Sequence, residues 1–228
     1  LSFRLRLTLF FVLIVVLPML ALAVLVSEIA ADSADGKADA RLDSGLRTAT
    51  ALFDEAQGAA RPAAKRAAVQ IDGDAAALAT LHAGDPGRLE DLASQIAREQ
   101  PPAAVELTDA GGTTASAGGK PVAAATVRLV DDGGRRIGQV TVATTTSDAF
   151  LKRVRDATGE EAALAGPSGP ATGTVSIEAG TVPDPGGSAD VELRGDQFRV
   201  ASTVPLGEEQ TRVALFTPAG DEGFFGSR

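Results

Sequence analysis

The sequence predicts an α+β fold: antiparallel sheets laid against a long amphipathic helix, behind a transmembrane helix at the amino terminus. Three observations predict it. Residues 7–26, LTLFFVLIVVLPMLALAVLV, carry no charge. Apolar residues then recur every three or four positions over most of the stretch to residue 99. From residue 103 the period falls to two, and turn-forming residues interrupt the chain at short intervals. Helical segments that each precede a cluster of strands favour antiparallel sheets over alternating parallel units.

As a helix, Leu7 to Val26 matches the length needed to cross a bilayer core. Pro18 sits within it, which a membrane helix tolerates better than a soluble one. Arg4 and Arg6 precede the run, and Glu28, Asp32 and Asp35 follow it. Positive charge stays in the cytoplasm. Residues 1–6 are therefore read as a cytoplasmic stub and residues 7–29 as the span through the inner membrane bilayer. The bulk of the chain is read as extracytoplasmic. Ala21-Leu22-Ala23 also resembles a signal-peptide cleavage site. The apolar run exceeds the usual core of about 7–15 residues and continues past that site, which favours an uncleaved anchor.

Leu42, Leu46, Ala49, Phe53, Ala56, Ala60, Ala63 and Ala67 then form a heptad seam. The seam predicts a long helix that covers a sheet of its own domain and also offers a homodimer contact. Pro62 is expected to kink or interrupt it. Shorter helices are expected at 74–81 and 86–99, the second with Asp85 as N-cap and Pro86 in the first turn. Residues 103–112 read as a strand entering a turn. Residues 121–146 read as two strands joined by Asp131-Asp132-Gly133-Gly134, a hairpin signal. A helix at 147–159, capped by Ser147 or Asp148, leads to strands at 160–166, 172–180, 189–195, 196–204 and 211–217.

The chain has 228 residues, enough for one or two domains with a true core. Its net charge is −9; without Arg4 and Arg6, 19 bases face 30 acids, so the outer part carries −11. Such a surface repels phosphate, so no nucleic-acid partner is expected. Cysteine is absent, which excludes disulfides and thiolate metal sites. His82, the single histidine, sits where a helix end is expected, and a cation suits that place without any catalytic role. Gly166-Pro167-Ser168-Gly169 lacks the spacing of a nucleophile elbow. Gly118-Gly119-Lys120 lacks that of a phosphate loop. Asp72 with Asp74, Asp131 with Asp132, and Asp184 with Asp190 lack calcium-loop spacing and read as solvated turns. AGDEGF near the carboxyl terminus resembles a damaged cyclase signature, but too little chain follows to build a site. No residue is assigned to catalysis, to a metal or to a cofactor. Arg128 is the one candidate ligand-binding residue. It alternates with Val122, Ala124, Thr126 and Val130, and its planar fork matches a carboxylate.

The order of elements resembles the double Cache sensor regions of bacterial membrane receptors: chemoreceptors, histidine kinases and diguanylate cyclases. ARLDSGLRTATALFDEA, IGQVTVATTTSDAFLKRVRDATGEEAALAG, LRGDQFRVASTVPL and TRVALFTP carry the resemblance. It implies two tandem PAS-like sheets, with a single Cache-like domain as the alternative. The division expected is a long helix plus membrane-distal subdomain at 30–146, a membrane-proximal subdomain at 147–218, and a juxtamembrane tail at 219–228 leading to a second membrane helix. The function implied is an extracytoplasmic sensor that passes a ligand- or partner-induced shift to a cytoplasmic output domain. The alternative is an anchored interaction or scaffold module without a small ligand. Members that recognise amino acids or amines use Tyr and Trp. This chain has neither, so the small-molecule class does not carry over.

Overall fold

The computed structural model describes residues 10–99, 104–131, 133–166, 172–173, 182–193, 195–208 and 210–219. A π-helical turn, Val12–Val16, leads into helix α1, Leu17–Asp72. Residues 7–9 of the apolar run lie outside the described residues. Among the described residues no helix is long and apolar enough to cross a membrane. The span expected at residues 7–29 therefore has no support in the fold.

Helix α1 is not interrupted at Pro62, so the fold rules out one of the two outcomes expected there. A proline removes one donor and crowds the carbonyl four residues before it. That carbonyl belongs to Gly58, and both residues are exposed, so solvent can take the freed acceptor. The heptad seam is buried within the chain itself: Leu42, Ala49, Phe53, Ala56, Ala60, Ala63 and Ala67 are all at most 5% exposed. The dimer contact that the seam offered is thus already occupied by the protein's own sheets.

Helices α2 (Ala75–Ala83) and α3 (Pro86–Glu99) follow. Asp74 caps α2 by accepting the Ala76 N–H at 2.8 Å, and Asp85 accepts the Arg88 N–H at 3.0 Å. Six strands come next: β1 (Ala104–Asp109), β2 (Thr114–Ala117), β3 (Pro121–Val122), β4 (Ala125–Val130), β5 (Arg136–Ala143) and β6 (Thr145–Thr146). Four of them make an antiparallel sheet in the order β2-β1-β5-β4, while β3 and β6 pair as a small ribbon. The β4–β5 hairpin turns where Asp131-Gly134 predicted. Asp131 Oδ1 accepts the N–H groups of Gly133 and Arg135 at 3.0 and 2.8 Å. The hydrogen bond from the Arg135 amide, followed by the Arg135 side chain, lowers the pKa of Asp131.

Helix α4 (Ser147–Thr158) is capped by Thr146, which accepts the Ala149 N–H, and not by Ser147 or Asp148. Thr146 is the residue with extended backbone, as an N-cap requires. Then β7 (Glu161–Ala165), β8 (Thr172–Gly173), β9 (Ser188–Leu193), β10 (Asp196–Ser202) and β11 (Arg212–Pro218) form a second antiparallel sheet ordered β8-β7-β11-β10-β9. Most of the strand expected at 172–180 lies outside the described residues, as does AGDEGF beyond Ala219.

Two cores share the one helix. The first joins Ala63, Ala64, Ala67 and Ile71 of α1 to Leu81, Leu89, Ile96, Leu107, Val140 and Val142. The second joins Leu42, Ala49, Phe53 and Ala56 to Phe150, Leu151, Val154, Leu164, Val213 and Leu215. Phe53 and Phe150 meet edge to face, with ring centroids 6.2 Å apart. Burying each such large side chain contributes about 1.5–3 kcal/mol.

Gly138 in β5 sits where strand and helix approach closely. A Cβ there would stand 2.5 Å from the Thr108 carbonyl oxygen and 3.3 Å from Leu81 Cδ2. Replacing Gly138 with Ala should therefore destabilise the fold by about 2 kcal/mol, read by denaturant unfolding. An unchanged midpoint would show that β1 and β5 are not packed this tightly.

Candidate functional site

The first sheet has two faces of opposite character. Val105, Leu107, Leu129, Val140 and Val142 point into the first core. On the other face, Ser116, Glu106, Thr141 and Thr126 form one row across the strands, and Thr114, Thr108, Gln139 and Arg128 form the next. Period-two alternation makes this segregation automatic once one face is buried. Thr126 and Thr141 hydroxyls lie 3.0 Å apart, and those of Thr108 and Thr114 3.3 Å. Arg136 Nη2 donates to Gln139 Oε1 at 3.0 Å. The face thus carries hydroxyls, one carboxylate and two guanidinium groups, a set suited to a polar ligand.

Arg128 is exposed on this face beside Thr126 and makes no hydrogen bond or ion pair with any described residue. The neighbours expected from alternation are only partly present. Val122 is buried in the second core, because Ala123 takes a left-handed conformation (φ 52°) and ends the alternation before β4. Val130 is offset by a bulge after Leu129. Arg128 Cα is in register with Gln139, so Gln139, Thr126 and Arg136 form its true surroundings.

The second sheet holds a group that alternation alone did not single out. Arg199 in β10 donates from Nε and Nη2 to the two carboxylate oxygens of Asp39 in α1, at 2.9 and 3.2 Å. Its Nη1 donates to Asp190 in β9 at 3.1 and 3.3 Å. The Arg199 side chain is only 19% exposed. The hydrogen bonds to Asp39, then those to Asp190, raise its pKa, so it remains cationic at every accessible pH. The signal was present in the sequence. Phe198, Val200 and Ser202 share one strand face, so Arg199 must lie on the other, which meets α1 and needs a partner there.

Next to this clamp lies a cleft of about 320 Å³ between α1 and the second sheet, lined by Asp39, Leu42, Asp43, Gly187, Ser188 and Ser202. The strap before β9 is fixed at Pro183, whose carbonyl accepts from Ser202 Oγ at 3.0 Å and Arg212 Nη1 at 3.1 Å. His82 is exposed at the end of α2, its Nδ1 2.8 Å from the Leu78 carbonyl, remote in role from either sheet face. Among the described residues, no three of His, Cys, Asp and Glu gather as a metal-holding group.

No protein-family model matches the chain, and no curated protein matches it. Solved structures do. The ligand-binding domain of the amino-acid chemoreceptor PctB of Pseudomonas aeruginosa PAO1, in complex with L-Arg, is 13% identical. The match covers 85% of this chain and 100% of that domain, with a TM-score of 0.53. The sensory domain of the Campylobacter jejuni chemoreceptor Tlp3, with isoleucine bound, is 10% identical over 83% of this chain and 96% of that one, with a TM-score of 0.49. An extracellular ligand binding receptor from Desulfohalobium retbaense DSM5692 is 15% identical over 79% of this chain but 40% of its own, with a TM-score of 0.42. The PctB likeness shows that this chain shares the fold of that sensory domain, with two antiparallel sheets on one long helix, as the resemblance led us to expect. At these identities the likeness speaks for the fold alone.

If Arg199 clamps α1 to the second sheet, Arg199→Gln and Asp39→Asn should not act independently. Denaturant unfolding of both single variants and the double variant should give a coupling of about 1 kcal/mol. That value is at the low end for charged hydrogen bonds because Asp39 is half exposed. Additive effects would remove the clamp from the account.

Proposed function

We propose that this chain is the extracytoplasmic sensor region of a membrane-bound signal-transduction receptor, non-catalytic in itself. The observation that carries this reading is the PctB likeness, which spans that sensory domain from end to end. In the proposal, residues 7–29 anchor the chain in the inner membrane. Residues 30–146 form the membrane-distal unit, residues 147–218 the membrane-proximal unit, and residues 219–228 the juxtamembrane tail. A small ligand settles on the polar face of the first sheet and biases one of two arrangements of α1 against the sheets. That shift passes through the membrane to an output domain outside this chain. The PctB domain holds an amino acid; here Arg128 supports a ligand bearing a carboxylate, its fork free to receive one. Homodimerisation belongs to the proposal too, but through a surface other than the buried heptad seam.

A second reading is an anchored interaction module without a small ligand. What favours it is the openness of the polar face: Thr114, Ser116, Thr126 and Arg128 are all exposed.

The absence of cysteine gives a clean test of topology. Ser44 is exposed on α1. In intact cells, Ser44→Cys should react with a membrane-impermeant maleimide; reaction only after lysis would overturn the anchor reading. For the site, thermal unfolding of the full chain against a panel of small carboxylates should show at least one stabilising compound. Arg128→Ala should abolish that shift while changing the unliganded stability by no more than about 0.5 kcal/mol. A panel without effect would favour the interaction module.

A further inference from the structure

We infer that the open edge of the first sheet at β4 is a docking site for an extended peptide segment of a partner protein, which adds as a fifth strand. Among the described residues β4 pairs with β5 alone, so its outer edge presents unpaired backbone donors and acceptors. Such an edge is a template for another strand unless it is short, covered or charged. The other edge strand, β2, has four residues, and the edge strand β9 of the second sheet carries Asp190 and Glu192. Strand β4, ATVRLV, has six residues and no proline, and its single charge, Arg128, has no partner among the described residues.

The edge also has a groove beside it. A cleft of about 190 Å³ lies between β4 and α1–α2, lined by Val69, Leu78, Leu129, Val130 and Ile137, with Asp72 and Arg128 as its two charged members, which form no ion pair with each other. Val69 is 73% exposed and Val130 49%, high values for large apolar side chains of this part of the chain. A strand edge flanked by an apolar groove and a helix is the geometry of strand addition: main-chain hydrogen bonds give affinity, and alternate side chains give selectivity.

Register defines the occupant. A residue facing Arg128 across the new strand pair projects onto the polar face, within reach of a guanidinium that has no carboxylate among the described residues. Its two neighbours project to the opposite face, toward the groove and Val69. The pattern that fits is therefore apolar, acidic, apolar in an extended segment. A free small molecule does not satisfy the edge, because it offers no backbone ladder. A second copy of this chain would satisfy it, but brings a net charge of −9 against −9 and no acidic side chain in its own β4. The proposal goes beyond the sensor reading: it concerns the sheet's edge, and it shares only Arg128 with the carboxylate proposed for the face, so the two occupants would compete for that guanidinium while Val69 belongs to the edge alone.

The test uses the full chain in detergent and a blocked, fluorescein-labelled peptide of about eight residues, alternating valine and threonine with one central glutamate. Anisotropy should rise to saturation, and amide hydrogen exchange in β4 should slow on addition. Arg128→Glu should weaken binding about tenfold and reverse the preference toward a peptide with lysine at the centre. Val69→Lys, at an exposed position on the helix away from the polar face, should abolish binding of both peptides while leaving thermal unfolding and any carboxylate-induced shift unchanged. No saturable binding, or binding indifferent to both substitutions, overturns the inference. A dimer in sedimentation that excludes the peptide and that Val69→Lys dissociates also overturns it, and assigns the edge to a second copy.

Discussion

Everything in this fold depends on one apolar stripe along α1. A sheet of four or five strands cannot bury its inner face unaided, and here both sheets use the same helix to do so. The stripe changes composition where it changes partner. Leu42 and Phe53 fill the second core, and Ala60, Ala63, Ala64 and Ala67 let the first sheet come close. Alanine buries little area, so the first core draws its larger side chains from α2, α3 and the strands instead: Leu81, Leu89, Ile96 and Leu107. A rotation or slide of α1 must therefore disturb both cores together. That mechanical coupling follows from sharing one stripe and needs no further contact between the sheets.

The two sheets finish their outer faces differently. The second sheet buries Ala163, Val200, Ala214 and Phe216 on the side away from α1, with Val182, Val191, Leu193 and Phe198 packed against them. Its strap is held by Ser202 and Arg212 at Pro183. The first sheet leaves two rows of hydroxyl, amide and charged side chains on its outer face, four of them exposed. A sheet packed on both faces tolerates little variation in side-chain volume. A half-solvated one can exchange polar contacts freely. The first sheet thus keeps one face polar and open, while the second is packed on both.

Much of this organisation was legible in the sequence because it rests on strong local signals. Asp131 to Gly134 turned where expected, since Asp131 can accept two backbone N–H groups at once. Asp74 and Asp85 started their helices for the same reason. The failures have physical causes as well. Strand β2, TASA, shows no apolar alternation; it exists because Asp109 accepts the Thr113 N–H at 2.7 Å and turns the chain back along β1. Strands β3 and β6 have two residues each, too short for any pattern. Pro62 was expected to kink or interrupt α1, but the helix runs on through it to Asp72, with Ala60, Ala63, Ala64 and Ala67 buried around it. At the candidate site, Arg128 could be singled out from its strand. The rows beside it could not, because cross-strand register between β1, β2 and β5 is a long-range property.

Arg199 shows why a charge can sit so close to a core. Taking a guanidinium out of water is costly unless its donors are matched, and a single carboxylate rarely suffices. Here two carboxylates from different elements divide the work, one on α1 and one on the neighbouring strand. Asp39 also lines the cleft that runs between α1 and the second sheet, so any group entering that cleft meets a carboxylate already engaged. In a chain as acidic as this one, carboxylate partners are plentiful along α1. The specificity lies in register: Asp39 stands one turn before Leu42, so the helix orientation that buries Leu42 in the second core also brings Asp39 to Arg199.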